Sequence, residues 1–162
     1  MGENTPYKKK TWCEKLNQSD GLPRVEPMNE KMIKRWGAGT IVIPAPMEVD
    51  TIMKRVPAGK LTTINEIRSY LAKKHNATIG CPFTTGIFAW IAANAAEENR
   101  QKGFKRITPY WRTLKTGGFL NEKYPGGVEA QKKLLEQEGH TVTRKGERYI
   151  VLDCEKVLAQ IG

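Results

Sequence analysis

A mainly α-helical fold with a small amount of β structure, ordered as a winged helix-turn-helix, is what this sequence predicts. Three features carry the reading. A capped amphipathic helix begins at "TINEIRSYLAKKH", and the short connection "NATIGCP" leads from it to a long helix rich in small residues, "FTTGIFAWIAANAAEENR". After a further helix, "TVTRKGERYIVL" alternates like a β-hairpin with a Lys-Gly turn. Helix, short connection, helix and then hairpin is the order of that fold.

Taken from the start, residues 1–37 are polar and basic, with Pro23 and Pro27 set to interrupt any helix. They read as an extended or loosely folded N-terminal arm, with one short helix near Asn29–Trp36. The domain proper then runs over residues 38–162. "GTIVIPAP" (39–46) is β-branched and ends in two prolines, so it reads as a strand running into a helix start. Apolar residues at 49, 52, 53 and 56 give "PMEVDTIMKRV" the spacing of an amphipathic helix.

The capped helix has Thr63 followed three residues on by Glu66, a capping box, and carries Ile64, Ile67, Tyr70 and Leu71 on one face. It is expected to end near His75. Pro82 suits the first turn of the next helix, over about 83–100. Beyond it "ITPYWRTL" (107–114) has the composition of a strand, "KTGG" of a turn and "NEKYPGG" of a loop. "VEAQKKLLEQEGH" reads as a helix with Val128, Leu134 and Leu135 inward and Gly139 at its C-cap, and "CEKVLAQIG" as a short closing helix.

Composition narrows the function. The 162 residues, 39% hydrophobic and 27% charged, describe one well-cored globular domain. The longest apolar run, Gly86–Ala93, is too short for a bilayer, and no apolar segment follows the N-terminal lysines Lys8–Lys10, so neither a membrane span nor a secretory signal is expected. Cys13, Cys81 and Cys154 are widely spaced and odd in number, which fits a reducing cytoplasm and no disulfide framework. His75 and His140 lack ligand-spaced neighbours, so no metal and no cofactor are expected. The net charge of +10 builds a field that favours a polyanionic partner, nucleic acid first. Residues 61–112 are the most basic third, with eight Lys/Arg against three acids.

Four segments in this order, "VPAGKLTTINEIRSYLAKKHN", "TTGIFAWIAANAA", "TPYWR" and "GGVEAQKKLLEQEGH", resemble the DNA-binding domain of O6-alkylguanine-DNA alkyltransferases over about residues 39–142. Order and spacing hold apart from the insertion "EENRQKGFKR" (97–106). That family carries a Pro-Cys-His-Arg active site. Aligned on Pro109 and Arg112, Tyr110 stands in the place of the nucleophilic cysteine and Trp111 in that of the histidine. A phenol with pKa near 10 beside a donor-only indole supplies neither thiolate nor base, so no alkyl transfer is expected here. The chain is similar to the alkyltransferase-like proteins, which also replace the cysteine and flag alkylated guanine for other repair machinery, although their usual "PWHR" is here "PYWR".

The resemblance implies double-stranded DNA, with or without alkylated guanine, as partner, and repair proteins as a second class of partner. It implies a base pocket of Tyr110, Trp111, Arg112, Tyr124, Gly126 and Gly127, with Glu138 at the place of the acid that supports the family histidine. DNA contacts fall to Thr62, Thr63, Phe83, Thr84, Thr85, Gly86, Ala89, Lys102, Lys105 and Arg106. On the long helix the Thr, Gly and Ala side faces phosphates, while Ile87, Trp90 and Ile91 face the core. Phe83 occupies the place of the arginine that fills the gap left by an extruded base, and Ile64 that of a phosphate-rotating tyrosine. Three alternatives stay open at this point: Tyr110 and Trp111 as core residues, an enzyme acting through Cys81, and a protein- or RNA-binding module on the same scaffold.

Overall fold

The computed structural model describes residues 9–161; Lys8 and the first seven residues of the N-terminal arm lie outside the described ones. Within the described part of that arm are three regular elements. Helix α1 (Trp12–Leu16) is capped by Thr11, whose hydroxyl accepts the Glu14 N–H at 3.1 Å. Strand β1 (Arg24–Pro27) follows, then helix α2 (Glu30–Trp36), capped by Asn29. The reason these residues do not trail loosely is tertiary. Leu16 is buried, Trp12 and Cys13 pack on the main core, and β1 pairs antiparallel with strand β2 (Thr40–Ile43), Val25 opposite Val42.

Helix α3 (Pro46–Lys54) starts on its proline and buries Val49, Ile52 and Met53, with Val56 just beyond it. The two-residue strand β3 (Thr62–Thr63) runs into helix α4 (Ile64–Lys74), whose Thr63 hydroxyl accepts the Glu66 N–H at 3.3 Å. Ile67 and Leu71 are its buried stripe. The connection after α4 is not plain loop. Ile79–Gly80 forms β4, parallel to β2, so that the first sheet runs β1-β2-β4. Only glycine fits at position 80, because a Cβ would stand 2.6 Å from the Arg68 carbonyl oxygen. Helix α5 (Pro82–Gln101) then crosses the molecule, packed by α1, α3 and α4. Its alanines at 89, 92, 93, 95 and 96 are buried and let those neighbours approach closely.

The run 107–114, expected as one strand, is mostly a turn. Residues 110–112 form a single 3-10 turn, and only Thr113–Leu114 (β5) is strand, parallel to β3. Pro109 explains the change: its own carbonyl accepts the Arg112 N–H at 3.1 Å, closing the turn before the chain can extend. Helix α6 (Gly127–Gln137) ends one residue short of Gly139, which takes φ +91°. In the hairpin, β6 (Val142–Lys145) and β7 (Arg148–Val151) pair Lys145 with Arg148, so the turn is Gly146-Glu147 rather than Lys-Gly. The expected closing helix is one 3-10 turn, Cys154–Val157. The chain then straightens, because Leu158 bridges Leu61 and Ala159 donates its N–H to the Leu61 carbonyl at 2.8 Å.

Among the described residues the result is a mainly helical fold with sheets of three, two and two strands. One core lies between α5 and the helices around it; a second, Leu61, Leu114, Leu120, Leu135 and Val151, joins α6 to the hairpin; a third, Met28, Ile41 and Cys81, seats α2 on the first sheet. Among the described residues no helix is long and apolar enough to cross a membrane.

Candidate functional site

The 3-10 turn that carries Tyr110, Trp111 and Arg112 is anchored at both ends. Before it, the buried Thr108 hydroxyl donates to Asp50 Oδ1 of α3 at 2.6 Å. After it, Arg112 Nη1 donates to the Val56 carbonyl at 2.8 Å, and Arg112 Nε to the two Glu138 oxygens at 2.5 and 3.0 Å. Trp111 Nε1 donates to the same carboxylate at 3.0 Å. Glu138 thus holds the indole and the guanidinium together, and its position at the end of α6 is what makes this possible.

Tyr110 is only 4% exposed, with its ring edge-on to Trp111 (5.4 Å between centroids) and to Tyr124 (5.5 Å). Burial pushes its phenol above the ordinary value, so at neutral pH it stays a neutral hydroxyl. Tyr124 is buried as well and donates to the Thr113 carbonyl at 3.0 Å. Gly126 and Gly127, both at positive φ, turn the chain into α6, and a Cβ on Gly126 would meet that of Ala130 at 2.6 Å. The six residues expected to form a base pocket are therefore brought together, but as a packed aromatic cluster. Tyr110 and Tyr124 fill the space between themselves, and of the three rings only Trp111 reaches solvent.

Gln131 completes the cluster and went unnoticed in the sequence. Fully buried on α6, it accepts the Asn121 N–H at 2.8 Å and donates to the Trp111 carbonyl at 3.2 Å. A polar residue on the inward stripe between Val128 and Leu135 was the available signal.

The open space lies next to this cluster. A hollow of about 730 Å3 is lined by Ile64, Pro82, Phe83, Gly86, Ile87 and Trp90 together with Lys115, Asn121 and Lys123, Lys115 being paired with Glu122 at 3.1 Å. Phe83 is 64% exposed and Ile87 50%. The expected orientation of α5 holds in part: Phe83 and Gly86 face out and Ile91 packs on the core, but Thr85, Ala89 and Ile87 are turned the other way. Thr85 and Ala89 face the core, while Phe83, Gly86 and Ile87 face out. Close packing on α3 and α1 needs the small residues inside, and that requirement wins. Thr62 and Thr63 are also buried, the first in the β3–β5 pair and the second as the cap of α4, so neither is placed to touch a ligand. Thr84 is half-buried beside Phe83.

Lys102, Lys105 and Arg106 are exposed at the other end of α5. By helical rise alone Lys102 is about 28 Å from Phe83, so these cations do not belong to the same hollow. Lys102 lies 3.7 Å from Glu98. Cys81 is buried against Met28 and Ile41. His75 Nε2 meets Glu48 at 2.6 Å, and burial lowers the His140 imidazole. Among the described residues no group of His, Cys, Asp and Glu is arranged to hold a metal ion.

No protein-family model matches the sequence, and no curated protein matches it. Among solved structures, the chain is similar to S. pombe Atl1 in complex with damaged DNA containing O6-carboxymethylguanine: 18% identical, covering 71% of this chain and 94% of that one, with a TM-score of 0.48. It is likewise similar to S. pombe ATL in complex with DNA, 17% identical with the same coverage and a TM-score of 0.49.

Proposed function

We propose that this chain is a DNA-binding protein of the alkyltransferase-like kind, which reads damaged duplex DNA and holds an extruded base without transferring an alkyl group. In this reading α4 and α5 are the paired helices of a winged helix-turn-helix, and the β6–β7 hairpin is its wing. The observation that carries it is the free end of α5. Phe83, Gly86 and Ile87 stand out of the fold beside a hollow large enough for a base, with Lys115 and Lys123 also lining it.

Each part has a physical role. Gly86, with nothing within 4 Å of where a Cβ would be, lets the helix backbone approach a minor groove only about 6 Å wide. Phe83 is an apolar wedge of the type that unstacks a base step. Trp90 and Ile64 offer apolar surface to the extruded base, and a stacked aromatic contact contributes roughly 1–3 kcal/mol. That is enough to offset the few kcal/mol of flipping where a lesion has already weakened pairing. Transfer is absent from the reading because the nucleophile's place holds a buried neutral phenol, and the neighbouring indole has already spent its one N–H on Glu138. Cys81, buried under α2, does not face the hollow's lining residues.

The test is fluorescence anisotropy with duplexes that differ by one O6-methylguanine. Binding is expected to weaken strongly between about 50 and 200 mM salt, and to be tighter for the lesion. Equal affinity for both duplexes would remove lesion reading and leave a general DNA binder. No binding at low salt would favour a protein or RNA partner instead. Intact-mass analysis of the protein after exposure to the alkylated duplex is expected to show no added alkyl group; a gain would point to Cys81 or another nucleophile.

A further inference from the structure

We propose a second binding site, at the far end of α5, that takes an acidic peptide segment of a partner protein. A separate hollow of about 520 Å3 is formed there by Lys54 of α3, Lys105 and Arg106 of the insertion, Ile107 and Pro109 leading into the turn, and Trp111 and Arg112 of the turn itself, Arg112 being paired with Glu138. Among the described residues no acidic side chain lines it. Lys54 shares the Asp50 carboxylate at 3.1 Å, whereas Lys105 and Arg106 are exposed and pair with no acid among the described residues. Phe104, from the same connection, is 57% exposed.

Two demands on a ligand follow. Unneutralised cations at the mouth call for carboxylates or phosphates, and an apolar floor of Ile107, Pro109 and the indole face calls for an aliphatic or aromatic anchor. A peptide in which Asp and Glu alternate with Leu or Phe meets both. A phosphodiester backbone meets only the first. Along α5 this hollow is separated from the one beside Phe83 by α1. α1 lies along α5 from its middle onward, with Trp12 edge-on to Trp90 at 4.8 Å and the Trp12 and Cys13 N–H groups held by Glu98 at 3.0 and 3.3 Å. A groove following α5 from its free end meets α1 before it meets Lys105.

The site is independent of the DNA reading, and the experiment keeps the two apart. The full chain is titrated with a fluorescent peptide of alternating Asp/Glu and Leu/Phe, and with the same peptide carrying Gln in place of every acid. Saturable binding of the acidic peptide alone is expected, weakened at least about tenfold, or about 1.4 kcal/mol, by the double substitution K105A/R106A. The matched pair K132A/K133A removes the same charge from α6 and is expected to leave peptide binding intact. With K105A/R106A the salt slope for duplex DNA is expected to stay that of the wild type. Failure of the wild type to bind the peptide, or equal loss in both double variants, overturns the site. So does a fall of about two in the DNA salt slope, at roughly 0.9 per phosphate contact, since phosphates would then be the occupant.

Discussion

The two halves of α5 use similar residues to opposite ends. In the first half, Pro82–Trp90, apolar Phe83 and Ile87 are turned to solvent around a glycine. In the second, Ala92, Ala93, Ala95 and Ala96 are sealed beneath α1 and α3. What separates them is the cover that α3 and α1 provide, the latter a five-residue helix held in part by α5 itself. Glu98 of α5 accepts the two backbone N–H groups at the start of α1, supplying from another element the partners a helix start otherwise lacks. An accessible apolar surface in a small protein is thus left open by what does not cover it.

Substitutions that sharpen or erase this contrast differ in size. The largest effect is expected from Ala93→Leu, which forces extra volume into a fully buried site and should cost about 3 kcal/mol in chemical denaturation. A cost below 1 kcal/mol would show the second half to be loosely covered. Gly86→Ala, in the first half, should move the other way, raising stability by about 1 kcal/mol because its Cβ meets nothing and helix propensity improves; destabilisation would mean the free end is not free.

Glu98→Gln should cost about 1 kcal/mol of α1 docking, read by tryptophan fluorescence of the Trp12–Trp90 pair. Its carboxyl feels burial, which raises its pKa, but the amides of Trp12 and Cys13 outweigh this and hold it below the usual value. Because the folded value lies below the unfolded one, its stabilisation is fully present above the ordinary carboxylate pKa of about 4.3 and fades as pH falls through the folded value. The Gln variant should lose that acid dependence; an identical acid profile would dissociate Glu98 from docking. The smallest change in stability, within about 0.5 kcal/mol, belongs to Phe83→Ala on the exposed end. On the DNA reading the same variant should lose affinity in anisotropy while melting like the wild type.

Much of this was legible in the sequence because it is local. The Thr63–Glu66 cap, the 49-52-53-56 stripe, the proline start of α5 and the hairpin alternation each follow from a few adjacent residues. What failed was whatever depends on distant partners. β1 and β4 exist only because β2 lies between them, and α1 is ordered by packing on α5 and α3. The orientation of α5 was only partly legible for a different reason: Thr85 and Ala89 on one face and Phe83, Ile87 and Trp90 on the other can each be buried, and periodicity cannot choose. Tyr110 and Trp111 stood out in the sequence as the pair that the resemblance sets at an active-site position, but not the packing of Tyr110 on Tyr124, nor Gln131 beneath them.

Gln131 carries one more consequence. Its amide ties the Trp111 turn to the Asn121 loop beside the large hollow, and the Tyr124 phenol ties that loop's far end to Thr113. These ties are neutral and out of reach of mobile ions, unlike the lysines at the rim. On the DNA reading, rising ionic strength slackens the grip on a polyanion while the receptacle keeps its shape, so a ligand driven off by salt should find the same contour on its return.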